Sequence, residues 1–155
     1  MRASKVLPFL VRNDDSAGAR LRGAISQDAV PGPAGPQRVV AILNPIKSGY
    51  TEAKAHLIVE CTEGGWPLPV FLDTTIEDPG RGQVLEARKL GANVVVAGGG
   101  DGTMREVAEV LVQGGTDVPL GIVPLGTGNL LARNLGMSVS STNGAIHRNV
   151  RTALF

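Results

Sequence analysis

Four short apolar runs, rich in β-branched residues and bounded by turn formers, punctuate the chain: VVAILN (39–44), LPVFLD (68–73), NVVVA (93–97) and the start of LGIVPLGTGN (120–129). Runs of this length with few polar interruptions predict strands buried on both faces. The segments between them change to helical spacing. Residues 51–62 predict an amphipathic helix with Leu57, Ile58 and Cys61 on one face, stopped by Gly64 and Gly65. TTIEDPGRG (74–82) leads into a second helix that runs to about Leu90 and stops at Gly91. Met104, Val107, Ala108 and Leu111 predict a third, beginning near Thr103 and ending near Gln113. LLARNLG (130–136) predicts a short helix ended by Gly136, and the segment from Ser140 to Phe155 is weakly helical, with Asn143 placed to cap it.

Strands alternating with helices at this spacing imply βαβ units. The fold class expected is α/β: a parallel sheet with helices on both faces, Rossmann-like in layout. Residues 1–37 break the pattern. Their charges lack periodicity and PGPAGP (31–36) is a stiff linker, so 1–37 reads as a poorly ordered arm ahead of a domain over 38–155.

Composition narrows the function classes. A chain of 155 residues, 43% hydrophobic and with a net charge of +1, is long enough for one domain with a real core. A nucleic-acid partner is not expected, because the charge is balanced and three Phe, one Tyr and one Trp offer little for base stacking. The single Cys61 rules out an internal disulfide and fits a reducing, cytoplasmic compartment. No apolar run approaches the roughly 20 residues of a membrane span. The start, MRASKVLPFLVRNDD, is broken by Pro8 and by Arg12, Asp14 and Asp15, which argues against a signal peptide.

The chemistry gathers at Val94–Glu106, VVVAGGGDGTMRE. A strand, a glycine run and a helix start form a phosphate cradle, since free N–H groups and the positive end of the helix dipole face one point. In a parallel sheet, ligands sit outside the carboxyl ends of the strands. Those ends here carry NPIKSG (44–49), Asp73–Thr75, GGGDGT (98–103) and PLGTGN (124–129). This convergence points to nucleotide binding more strongly than any one motif. Neither common fingerprint fits: no segment has GxxxxGK[ST], and a GxGxxG begun at Gly98 fails at Thr103.

NPIKSG, GGGDGT with Glu106 three residues on, and PLGTGN together resemble the catalytic domain of diacylglycerol kinases, a family extending to sphingosine, ceramide and bacterial lipid kinases. The resemblance covers about Val39 to Gly136. NAD kinases share the GGDG element more distantly. The resemblance implies that ATP is bound by Asn44, Pro45, Ile46, Lys47, Ser48 and Gly49 after the first strand, and by Thr74 or Thr75 after the second. It implies phosphate contacts from Gly99, Gly100, Asp101, Gly102, Thr103, Met104, Arg105 and Glu106, with Gly126, Thr127 and Asn129 completing the pocket. The implied reaction carries the γ-phosphate of ATP, with Mg²⁺, to a hydroxyl of a diacylglycerol-like or sphingoid lipid at a membrane surface. Asp101 would be the catalytic residue, accepting a proton or holding Mg²⁺ directly or through water.

Structural readings stand beside these. Thr103 and Glu106 have capping-box spacing, Asp101 suits a turn, Thr127 and Asn129 suit a helix cap, and Lys47 suits a solvated loop. Gly98–Gly100 suit close packing, though three glycines at a strand end favour ligand approach. Arg105 departs from the asparagine often found there. Family members continue into a β-rich second domain, so the chain reads as the nucleotide-binding half, with homodimerisation as another way to cover its open side. A nucleotide-binding module without turnover and an NAD kinase-like phosphotransferase are the alternatives.

Overall fold

The computed structural model describes residues 37–140 and 143–154. The arm expected over 1–37 lies outside the described residues except for Gln37, which is buried just ahead of the first strand.

Among the described residues, four parallel strands, β1 (Val39–Leu43), β2 (Val70–Asp73), β3 (Val94–Gly99) and β4 (Leu120–Pro124), form one sheet in the order β2-β1-β3-β4. The helices are α1 (Tyr50–Glu63), α2 (Arg81–Lys89), α3 (Asp101–Gln113), α4 (Leu130–Asn134) and α5 (Asn143–Leu154). The α/β class expected from the alternating pattern is the one observed.

Side chains alternate across the sheet and sort into two cores. On one face Val39, Ala41 and Leu43 join Val94, Val96 and Val123 against Ala53, Leu57 and Cys61 of α1 and Ile146, Val150 and Leu154 of α5. On the other, Val40, Ile42, Val95, Ala97 and Ile122 meet Val84 and Ala87 of α2 and Met104, Val107, Val110 and Leu111 of α3. Strand β1, paired on both edges, has all five side chains at 1% exposure or less. Burial of each large aliphatic there stabilises the fold by about 1.5–3 kcal/mol. This makes β1 the rigid axis from which the site is hung.

Four boundaries or faces differ from the sequence expectation. β2 starts at Val70 rather than Leu68, since Pro67 and Pro69 have no N–H to give the ladder. β3 runs on through Gly98 and Gly99, which pair with Leu43 and with Val123 and Pro124. α3 begins at Asp101, not near Thr103, and its N-cap is Gly100 with no side-chain cap, so the capping box does not form. On α1 the buried residue beside Leu57 and Cys61 is Glu60, while Ile58 is 40% exposed. α5 covers Glu60 with His147 and Arg151, a partnership between elements distant in sequence.

Candidate nucleotide site

From β1 the chain crosses to β2 on one side, and the sheet continues through β3 on the other. The connections therefore part at the carboxyl ends of β1 and β3, which is where a crevice opens in sheets of this type. Four loops meet at this edge: first Asn44–Gly49, second the junction at Gly100, third Leu125–Asn129, and beside them the loop after β2, Thr74–Gly80.

The first loop is folded by its own asparagine. Asn44 N–H donates to Gly98 O at 2.8 Å, and Asn44 Oδ1 accepts from Ile46 N–H at 3.2 Å. Lys47 N–H then donates to Asn44 O at 3.2 Å, closing a turn that leaves Pro45, Ile46 and Ser48 exposed. Lys47 leans over the second loop: a Cβ built on Gly100 would lie 3.7 Å from Lys47 Cε and 3.9 Å from Nζ. Gly49 closes the loop at φ +87° and is the N-cap of α1.

At the second loop the three consecutive glycines do different jobs. A Cβ on Gly98 would enter the Leu43 side chain, and one on Gly99 would sit 2.8 Å from Thr103 Oγ1. These two glycines serve close packing. Gly100 alone faces the opening. Met104 N–H is the first to return to the helix, donating to Gly100 O at 3.1 Å. The N–H groups of Asp101, Gly102 and Thr103 precede it, and no side chain caps them. They form the positive end of a 13-residue helix.

The helix face expected from Met104, Val107 and Leu111 is the one that packs against the sheet, and Thr103 is buried beside it. Thr103 and Met104, expected among the phosphate ligands, are 5% and 3% exposed. Thr103 lies against Gly99, and Met104 belongs to the α2–α3 core. Gly102 and Arg105 are exposed, and Glu106 is half-buried. An open groove of about 340 Å³, lined by Pro79, Asp101, Gly102, Arg105 and Glu106, runs from this first turn toward the loop after β2.

The third loop is tied to the second. Gly99 O accepts from both Leu125 N–H (2.8 Å) and Gly126 N–H (3.1 Å). A Cβ on Gly126 would meet the Gly100 backbone, and one on Gly128 would lie 3.2 Å from Asp101 Oδ2. Asp101 Oδ1 accepts from Leu131 N–H at 3.2 Å, so one carboxylate sits at the start of α3 and holds the start of α4. Thr127 is exposed at the tip. Asn129 adopts φ +46° and is 2% exposed; its Nδ2 donates to Gly126 O, while the buried Oδ1 has no partner among the described residues.

The loop after β2 braces itself. Thr74, 5% exposed, gives its N–H to Leu43 O at 2.8 Å. Thr75 Oγ1 accepts from Asp78 N–H at 3.0 Å, and Asp78 in turn accepts from Gly82 N–H at 3.0 and 3.1 Å. Asp78 and Gln83, whose Nε2 donates to Asp73 O at 3.0 Å, were missed as organisers of this edge. The DPG segment ahead of a helix was the available signal for Asp78. Beside the loop, Tyr50 OH donates to the Asp73 carboxylate (2.8 and 2.9 Å), and Lys54 Nζ donates to Tyr50 OH at 3.1 Å. That hydrogen bond to Tyr50 raises Lys54 above the ordinary lysine range.

Lys47, Gly100, Asp101, Gly126 and Asn129 thus come together, Thr74 and Thr75 lie at the adjoining loop, and Thr103 and Met104 turn inward. The family model described as diacylglycerol kinase catalytic domain matches residues 38–153. The chain belongs to the diacylglycerol kinase catalytic domain family. A protein named probable lipid kinase YegS-like from Pseudomonas aeruginosa (strain UCBPP-PA14) is 40% identical over 100 residues, covering 64% of this chain and 32% of that protein. One named probable lipid kinase YegS from Escherichia coli O1:K1 / APEC is 57% identical over 56 residues, 35% of this chain and 19% of that protein. The crystal structure of a diacylglycerol kinase from Bacillus anthracis str. Sterne aligns with a TM-score of 0.53 and 24% identity over 74% of this chain and 40% of that one. This structural likeness bears on the fold. The matched segments span a third or less of these curated relatives. No helix among the described residues is long and apolar enough to cross a membrane.

Proposed function

We propose that this diacylglycerol kinase-family domain binds ATP at the β1–β3 switch point and supports transfer of its γ-phosphate to a hydroxyl of a diacylglycerol-like or sphingoid lipid. The observation that carries the reading is the convergence of Lys47, Gly100 and Gly126 at the uncapped start of α3. Phosphoryl transfer asks mainly for positioning and for neutralisation of spread-out negative charge. The α3 amides and the Lys47 ammonium supply fixed positive potential, and Gly100 supplies the close approach.

Asp101 is the acidic group at this mouth. Leu131 N–H fixes one of its oxygens while the other faces Gly128. In this reading the carboxylate orients the acceptor hydroxyl and takes its proton as the phosphoryl group arrives. The residues also fit a Mg²⁺ that keeps most of its waters: no cluster of three metal-ligating side chains exists among the described residues, and one carboxylate with a free oxygen suits such an ion. Asp101 would hold it through water, and the ion would supply further neutralisation of the phosphates. The lipid acceptor places the reaction at a membrane surface.

The test is radiolabel transfer from γ-labelled ATP with mixed lipid micelles, followed by phase extraction. Label in the organic phase, lost in Asp101→Asn, supports the reading. Label entering only a soluble dinucleotide in the aqueous phase, or a folded chain that does not bind ATP–Mg²⁺, contradicts it.

A further inference from the structure

We propose that Ile146, on α5, is a positioning residue for the nucleotide loop, acting on it from behind through Gly49. The inference rests on the reading of Asn44–Gly49 as part of the nucleotide site. Ile146 is fully buried, and a Cβ built on Gly49 would lie 2.6 Å from its Cδ1 and 3.2 Å from Leu125 Cδ2. Gly49 stands at φ +87° because the loop must turn into α1 there, and its missing side chain lets Ile146 close against the backbone. Gly49 O takes the Ala53 N–H at 2.9 Å, and Lys47 O takes the Tyr50 N–H at 3.2 Å. The seat under Gly49 therefore sets the height of the short loop that hangs Lys47 over Gly100.

A polar seam fixes the seat. Asn143, Ile146, His147, Val150 and Arg151 recur at helical spacing, so they share one face of α5. Asn143 Oδ1 lies 2.6 Å from His56 Nε2, and His147 Nε2 lies 2.8 Å from Oε1 of the buried Glu60. Arg151 Nε adds a contact to Glu60 Oε2 at 3.6 Å, and the His56 and His147 rings stack with centroids 4.7 Å apart. These ties flank Ile146 along the helix and hold α5 in rotation and register against α1.

The experiment compares Ile146→Ala with Val150→Ala, a fully buried residue one turn on that is not among the atoms nearest a Cβ built on Gly49. Both variants lose stability. ATP–Mg²⁺ affinity by calorimetry falls about tenfold in Ile146→Ala and stays within about twofold of the parent in Val150→Ala. Amide exchange at Tyr50 and Ala53 quickens in Ile146→Ala well beyond Val150→Ala, and Ile146→Val, which lacks the Cδ1 nearest Gly49, shows a smaller part of both losses. Should Ile146→Ala not fold, Ile146→Val is read against Val150→Ala in the same two measurements. Equal effects of the two positions on Tyr50 and Ala53 exchange, or unchanged affinity and exchange in the Ile146 variants, overturn the proposal. If the parent chain binds no ATP, the nucleotide reading fails while the exchange comparison still decides the positioning role.

Discussion

Gly126 and Gly100 meet backbone to backbone: a Cβ built on Gly126 would lie 2.8 Å from the Gly100 Cα, and also 2.9 Å from Asn129 Oδ1. The Gly100 neighbour is backbone and cannot swing aside, so the second and third loops can be this close only with glycine at 126. Gly126→Ala is expected to push the loops apart, cost about 1–3 kcal/mol of stability and weaken ATP binding. Thermal melts and calorimetry on the same sample check this; an unchanged melting temperature and affinity would show that the loops yield freely.

Asp101→Asn keeps an oxygen for the Leu131 N–H and removes the charge. The fold is expected to stand, with the melting temperature moving by only a few degrees, while lipid phosphorylation drops at least about 100-fold. ATP affinity, measured separately, is expected to change far less than turnover. Retention of near-parental transfer would remove Asp101 from the chemistry.

In the proposed site Lys47 contributes charge rather than packing. Lys47→Met should lower ATP affinity by about 1–2 kcal/mol and flatten the salt dependence of binding, with little effect on stability. Titrations at low and moderate salt give both readouts. Identical salt slopes in the two proteins would place the Lys47 ammonium away from the phosphates.

The fold was legible because it rests on local signals. Strands β1 and β3 announce themselves as β-branched runs, and helix stops such as Gly91, at φ +70°, are read from single residues. The three site loops were legible as motifs. The facing of individual side chains was not. Thr103 faces inward because it packs against Gly99, which continues the β3 ladder beside Pro124, a contact that helical spacing alone does not encode. Glu60 could not be distinguished from Ile58 as the inward residue, because its partners His147 and Arg151 lie on α5, more than 80 positions along the chain. Burial of that kind is decided by tertiary contact, which periodicity within one helix does not encode.

Cys61 gives a prediction independent of the site. Burial, and secondly the neighbouring Glu60 charge, push its thiol up from 9.0 to about 11. In the unfolded chain the thiol ionises earlier, so its contribution to stability is complete below about pH 9 and is lost as pH rises toward 11. Chemical denaturation from pH 8 to 10.5 is expected to show a steeper loss of stability for the parent than for Cys61→Ala. In the folded state Cys61 should also resist thiol reagents at pH 8. Rapid labelling under native conditions, or parallel pH profiles in the two proteins, would contradict this placement.

In the proposed site, ligand phosphates occupy the space in front of Gly100. A Cβ at Gly100 meets only ordinary contacts, the nearest at 3.7 Å to Lys47 Cε, so Gly100→Val fills that space with little insult to the folded backbone. The most direct measurement is ATP–Mg²⁺ binding by calorimetry on the parent chain and on Gly100→Val, with melting temperatures taken alongside. Binding by the parent and a loss of at least about 100-fold in the variant are expected, at nearly unchanged melting temperature. Equal ATP affinity in the two proteins would contradict the proposed site.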